Sequence, residues 1–337
     1  MKFENLSQIA SYIVKDGKGI LAADESNPTC KKRFDTISVE CTESNRRDYR
    51  ELLFSAEGME GNIGGVILFD ETIRQNSKNG ASLVDLILRK KSLPGIKVDQ
   101  GLKPFQESDY ETITQGLDGL DSRCKDYEKL GAKFTKWRAV ITIGKDGPSP
   151  QCIDANMSAL AKYAKIAQNN NLVPIVEPEV IMQGDHSIED CYDATEKSLQ
   201  LLFKHLEQEG VLIEGVLLKP NMVTSGSEAA EQAPPETVAD LTIKCLKNNV
   251  PDELPGITFL SGGQTEFEST QNLDLMNKIG DFPWKLSFSY GRALQQSALN
   301  TWLGQDKNVA NAQVAFSHRA KMNKLAAQGA WSQDLEN

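Results

Sequence analysis

The residue with the sharpest chemical potential is a lysine at the end of an apolar run, in Val216-Leu217-Leu218-Lys219-Pro220. Pro220 biases Lys219 toward an extended backbone, as a strand terminus requires. An amine at the dry end of a strand, near a second cation, has its pKa pushed down. A neutral amine attacks carbonyls to form a Schiff base. Two further charged pairs sit in apolar runs: Lys136 and Arg138 flank Trp137, and Glu177 and Glu179 flank Pro178. Residues i and i+2 share one face of a strand, so each pair points one way. Facing both pairs inward sends Trp137 toward the helices. Lys136 then supplies the second cation, and Glu177 a proton donor for Lys219.

Asp24 and Lys97 also close apolar runs, and Ser261-Gly262-Gly263 and Ser289-Tyr290-Gly291-Arg292 close two more. One charged strand tip is ordinarily a solvated end. Charges of both signs at the same end of many strands are costly unless paired or used, so the set reads as a site. The two glycine-containing tips, with a hydroxyl and Arg292, have the makings of a phosphate cradle.

Such a site needs elements to position it. Apolar runs at 19–24, 64–70, 94–99, 134–142, 173–180, 215–219, 257–261 and 285–290 read as buried strands. Helical periodicity marks 45–59, 155–168, 188–206, 235–248, 266–279 and 292–303, with a leading helix at 5–14 and a long final one at 309–328. The alternation predicts an α/β fold, a (β/α)8 TIM barrel with extra N- and C-terminal helices, as a single domain over 1–337. No G-x-G-x-x-G opens a helix after the first strand, which counts against a dinucleotide-binding sheet.

Composition narrows the function. Hydrophobic residues are 39% and charged residues 25% of the 337, the balance of a globular enzyme. With 37 basic against 47 acidic residues, the net charge of −10 argues against nucleic acid as a partner but not against small anions. No apolar run approaches the ~20 residues of a membrane span, so no membrane partner is expected. Residues 1–14 lack the basic and apolar regions of a secretory signal. Six cysteines show no C-x-x-C spacing, and free thiols fit a cytoplasmic location. Only three histidines occur, none spaced i, i+3 or i, i+4, so no metal site is expected. His186 follows Gly184-Asp185 in an expected loop and reads as a surface residue; Cys30 and Cys41 read as packing.

Nine blocks then carry a resemblance: GKGILAADES at 17–26, GGVILF at 64–69, GIKVD at 95–99, QGLDGL at 115–120, KWR at 136–138, VEPE at 176–179, LLKPNM at 217–222, FLSGGQ at 259–264 and FSYGRA at 288–293. In this order they resemble class I fructose-1,6-bisphosphate aldolase from about Gly17 to Leu325. The resemblance implies reversible cleavage of fructose 1,6-bisphosphate to dihydroxyacetone phosphate and glyceraldehyde 3-phosphate, in glycolysis and gluconeogenesis. By analogy Lys219 forms the iminium, and Glu177, with Glu179 and Lys136 near it, drives dehydration of the carbinolamine. Asp24 takes the C4 hydroxyl proton. Ser261, Gly262, Gly263, Ser289, Gly291 and Arg292 resemble the 1-phosphate site. Arg33, Lys97 and Arg138 resemble substrate-contacting cations, and Ser26 and Thr29 lie near the 6-phosphate. The family uses no metal and no organic cofactor, and many members are homotetramers. Alternatives are another sugar phosphate (fructose 1-phosphate or sedoheptulose 1,7-bisphosphate) and an additional scaffold role.

Departures from the family pattern add expectations. Asn27-Pro28-Thr29 replaces the usual small residues, and Gln100 stands where a cation often follows. Animal-type members end in a catalytic tyrosine, whereas Glu336-Asn337 follows Trp331 here. The expectation is therefore no tail-assisted proton transfer and no bisphosphate preference dependent on it.

Overall fold

The structure is a computed structural model that describes residues 3–145 and 147–336. Its strands are β1 (Gly19–Ala23), β2 (Ile63–Leu68), β3 (Leu93–Lys97), β4 (Leu102–Pro104), β5 (Thr112–Thr114), β6 (Phe134–Ile141), β7 (Val173–Val180), β8 (Leu217–Leu218), β9 (Gly256–Phe259) and β10 (Lys285–Tyr290). Eight of them pair in parallel and close in the order β1-β10-β9-β8-β7-β6-β3-β2, while β4 and β5 form a separate antiparallel hairpin. All eight expected strands are therefore present, and the closed barrel is the expected fold.

The helices are α1 (Leu6–Ile13), α2 (Asn27–Asp35), α3 (Glu43–Ser55), α4 (Met59–Asn62), α5 (Asp70–Ile73), α6 (Leu83–Arg89), α7 (Leu120–Lys129), α8 (Pro150–Asn169), α9 (Ile188–Gln208), α10 (Pro235–Asn249), α11 (Glu266–Ile279), α12 (Arg292–Trp302) and α13 (Val309–Ala326). The expected helix at 45–59 is two, because Gly58 turns left-handed at φ 77 between α3 and α4. The helix expected from 155 starts at Pro150, where Ser149 accepts the Cys152 N–H and proline occupies the first turn. The strand expected over 215–219 shortens to Leu217–Leu218, since Gly215 ends a 3-10 turn.

Strand parity sorts the interior. Leu21, Val66, Ile96, Trp137, Val176 and Leu218 face the helices and join the large core between barrel and helices. The indole of Trp137 stacks on Tyr163 of α8 at 5.4 Å, as the parity reading required. Ile20, Ile67, Leu93, Phe134, Val173, Ile175 and Leu217 face inward and form a second cluster with Ile9, Ala10, Ile13 and Val14. Helix α1 thus lays its apolar face across the amino ends of the strands and plugs the barrel from below. Contact there is tight: a methyl group on Gly64 would strike the Ile13 carbonyl, and one on Gly95 would strike the Phe134 ring. Above this dry floor the inward positions become charged.

Candidate active site

The inward positions next along the strands are Lys97 on β3, Lys136 and Arg138 on β6, Glu177 and Glu179 on β7, and Lys219 just after β8. Register brings them level: Lys97 pairs with Lys136, and Arg138 with Glu177. The Lys219 N–H donates to the Val176 carbonyl at 2.8 Å, holding that lysine beside Glu177. Asp24 follows β1 on the inward face. Together they line a cavity of about 910 Å³ that also includes Ser26, Thr29, Arg33, Ser261, Gly262, Ser289, Gly291 and Arg292.

At the centre Glu177 lies between two ammonium groups, with Oε1 3.0 Å from Lys219 Nζ and Oε2 3.1 Å from Lys136 Nζ. Lys136 Nζ also reaches Asp24 Oδ2 at 2.8 Å. Lys136, Glu177 and Lys219 are each buried, so water offers these charges little relief. Burial raises the Asp24 carboxyl, but Lys136, Lys219 and Lys97 outweigh it and hold the group down at about 2. Burial likewise raises Glu177, and Lys136, Lys219 and Arg138 overcome it, leaving Glu177 below the usual carboxylate range. Lys136 shows the converse: burial lowers it, yet Asp24, Glu177 and Asp99 raise it above an ordinary lysine. Glu177 Oε2 has no aligned hydrogen bond, so it keeps a lone pair free for a reacting group.

The outer cations all have partners within the protein. Arg138 pairs with Glu179, Arg33 with Glu25 at 2.9 Å, and Lys97 with Asp99 Oδ1 at 2.6 Å. Arg292 donates to the carbonyls of Gly262 (3.3 Å) and Gln264 (3.1 Å). Gly262 has φ +54, which favours glycine, and Arg292 opens the eleven-residue helix α12 beside it. The buried Ser289 hydroxyl has no partner and lines the cavity. A helix N-terminus, an unsatisfied hydroxyl and a guanidinium make a cradle for an anion. Ser26 and Thr29 share a hydrogen bond at 3.1 Å at the start of α2, where Pro28 occupies the first turn.

Of the sixteen residues singled out from sequence, Gly263 alone does not line the cavity, and a methyl there would press on Met182 Sδ. His186 lies in the expected loop but is buried rather than on the surface. Its two ring nitrogens face the carbonyls of Ser187 and Ile181, at 3.1 and 3.3 Å, so it ties the loop after β7 together. Cys30 is buried, and burial pushes its thiol up to about 12. Among the described residues no three His, Cys, Asp or Glu side chains are placed to hold a metal ion, and no helix is long and apolar enough to cross a membrane. Asn337 lies outside the described residues; Trp331 is buried, stacks edge-on against Phe267, and donates from Nε1 to Glu336 at 2.8 Å.

Sequence reasoning missed the partners. Glu25 and Asp99 neutralise Arg33 and Lys97, and Arg123 and Tyr127 of α7 join the cavity wall. Glu25 stood in the quoted Asp-Glu-Ser block, so its signal was present but unread. Helix α7 buries Leu120, Cys124 and Tyr127 along one stripe of an otherwise polar sequence.

A lysine against a carboxylate above a dry barrel floor, with anion cradles around it, is the equipment of a lyase that works through an imine. The comparisons with known proteins agree. The family model described as fructose-bisphosphate aldolase class-I matches residues 5–337. A protein named probable fructose-bisphosphate aldolase class 1 from Xanthomonas campestris is 52% identical over 98% of this chain and 99% of its own. Fructose-bisphosphate aldolase 6, cytosolic, from Arabidopsis thaliana is 52% identical over 97% of this chain and 91% of its own. A solved structure of fructose-bisphosphate aldolase from Plasmodium falciparum, in complex with TRAP and a small-molecule inhibitor, superposes with a TM-score of 0.96 at 50% identity, covering 97% of this chain and 95% of that one. The chain belongs to the class I fructose-bisphosphate aldolases. Its reaction is the glycolytic aldol cleavage, and its substrates are fructose bisphosphate and the triose phosphates.

Proposed function

We propose that Lys219 is the imine-forming residue of this reaction and that Glu177 and Asp24 carry its protons. The observation that supports this reading is the placement of Glu177 between Lys219 and Lys136. A proton passes from Lys219 Nζ to Glu177, leaving a neutral amine that attacks the C2 carbonyl. Glu177 returns the proton to the carbinolamine hydroxyl, which leaves as water, and the nitrogen becomes an iminium. Asp24, ionised at neutral pH, accepts the C4 hydroxyl proton. The C3–C4 bond breaks, its electrons flow into the iminium, and glyceraldehyde 3-phosphate departs, leaving an enamine. Protonation at C3 and hydrolysis release dihydroxyacetone phosphate and restore Lys219. Lys136 stays charged and stabilises both carboxylates, while Glu179 fixes Arg138.

In this reading Ser261, Gly262, Ser289, Gly291 and Arg292 hold the 1-phosphate, and Arg33, Lys97, Arg138, Ser26 and Thr29 face the rest of the sugar. The outer cations exchange carboxylate and carbonyl partners for phosphate when substrate enters. We also infer one domain, a homotetramer by family resemblance, and a cytoplasmic location, which the cytosolic Arabidopsis relative supports. Sedimentation of the purified chain tests the tetramer.

Borohydride reduction in the presence of dihydroxyacetone phosphate tests the mechanism. The expected result is a stable adduct mapped to Lys219, formed equally well in EDTA. An adduct on another lysine, or none, overturns the assignment. Comparing kcat/KM for fructose 1,6-bisphosphate and fructose 1-phosphate defines the substrate range.

A further inference from the structure

The ion pair at the end of β3 is built differently from the other two pairs of the outer cations. Lys97 curls back over its own strand, and its Nζ donates both to Asp99 Oδ1 at 2.6 Å and to the Asp99 backbone carbonyl at 2.9 Å. The carboxylate has anchors that do not involve Lys97. Its Oδ1 accepts the Gly101 N–H at 3.3 Å, and its Oδ2 accepts the Arg138 N–H at 3.4 Å. The backbone around it is pinned as well. The Val98 N–H donates to the Lys136 carbonyl, Arg123 Nη1 donates to the Val98 carbonyl, and the Gln100 N–H donates to the Gln115 carbonyl at the foot of the β4–β5 hairpin. The Asp99 side chain is 5% exposed, against 19% for Lys97. Asp99 is therefore fixed, and the flexible four-carbon stem of Lys97 is the part that can move.

Donor number separates the three outer pairs. Arg33 and Arg138 carry guanidinium groups, whose fork of N–H bonds can keep a carboxylate and still hold a phosphate. An ammonium group has three N–H bonds, and two of those of Lys97 end on Asp99. Lys97 can grip an incoming phosphate fully only by leaving Asp99. The carboxylate keeps support when that happens, because its two backbone N–H donors stay. It also lies in the field of Lys136: burial lowers the Lys136 pKa, and Asp24, Glu177 and then Asp99 raise it. The pair stands at the far side of the mouth. In the ring of eight strands β3 is four places from β9, straight across from Ser261 and Gly262, and Lys97, Asp99 and Gly101 all line the cavity.

We propose that Asp99 is a positioning residue that acts through Lys97. It stores the ammonium group between turnovers, competes for it with the far phosphate of the bound sugar, and takes it back as the phosphorylated aldehyde leaves. This rests on the reading in which Lys97 faces the end of the sugar away from the 1-phosphate. Asp99 thereby sets how tightly a second phosphate is held, and so how strongly a bisphosphate is preferred to a monophosphate. Loss of a mere prop for Lys97 would weaken the hold on that phosphate, whereas loss of a competing carboxylate strengthens it.

Calorimetric titration of the full chain with glucitol 1,6-bisphosphate and glucitol 1-phosphate reads that sign, and neither ligand has a carbonyl for Lys219 to attack. Asp99→Asn removes the charge while keeping the size of the side chain and one accepting oxygen. The variant should bind the bisphosphate about fivefold more tightly than the parent, and the monophosphate within about twofold of it. Product inhibition of cleavage by glyceraldehyde 3-phosphate should strengthen by the same factor. Asp99→Ser removes the same charge and carries the same expectation, should the asparagine variant fail to fold. Weaker binding of the bisphosphate, no change, or equal tightening of both ligands overturns the proposal. Lys97→Met tests the reading beneath it: the preference for the bisphosphate should fall, and if it does not, the placement of Lys97 fails and the role of Asp99 falls with it.

Discussion

The two ends of the barrel treat lysine differently. At the carboxyl ends of the strands, Lys97, Lys136 and Lys219 each lie within 3.1 Å of a carboxylate oxygen. At the amino ends, Lys15, Lys18 and Lys91 are not within ion-pair reach of one among the described residues. Depth explains the contrast. Lys136 and Lys219 are buried, and a buried charge without a counter-charge is severely disfavoured. The lower lysines border solvent, which screens them. Charge inside the barrel must therefore be arranged in balanced sets, so losing one member harms the rest. Charge on the rim acts singly.

The sharpest way to break that contrast is Lys136→Met. It strips the counter-charge from Asp24 and Glu177 together, and a destabilisation of about 3–5 kcal/mol is expected. The turnover number should fall at least about hundredfold if Asp24 and Glu177 carry protons as proposed, because both lose their electrostatic support. Urea unfolding and steady-state cleavage assays check both; a change of less than about 0.5 kcal/mol would show that the cluster is not energetically coupled.

Acid titration probes the same set more gently. Asp24 is brought from 3.8 to about 2, so its charged form favours the folded state. The resulting stability is present above pH 3.8 and is lost as pH falls through about 2. It amounts to about 2 kcal/mol. Asp24→Asn should flatten that part of the stability curve, followed by circular dichroism in urea between pH 5 and pH 2. The smallest effect belongs to the other end: Lys91→Gln should change stability by less than about 0.5 kcal/mol and leave KM for fructose 1,6-bisphosphate as it was.

Much of the site was legible because it obeys period two. Lys136 and Arg138 could be aimed inward from Trp137, and the stack of Trp137 on Tyr163 bears that out; Glu177 and Glu179 share one face by the same period and line the same cavity. The eight strands stood out as apolar runs for a different reason: they are covered on both faces. What escaped depends on reach rather than period. Glu25 finds Arg33 across the turn into α2, and Asp99 folds back on Lys97 two residues away. Neither contact leaves a pattern along the chain. Helix α2 begins on an Asn-Pro pair with little apolar content, and the hairpin of β4 and β5 has strands of three residues each, too short to show alternation. His186 was misplaced because its polarity suggested solvent, whereas two backbone carbonyls satisfy it in the interior.

The plug formed by α1 gives the reaction its traffic rule. With Ile9 and Ile13 seated under Phe134, and no room even for a methyl group at Gly64, the barrel is a cul-de-sac. Both halves of a cleaved sugar must leave by the door through which the whole one came. In the proposed mechanism one half stays covalently bonded to Lys219, so the free aldehyde goes first and the ketone waits its turn.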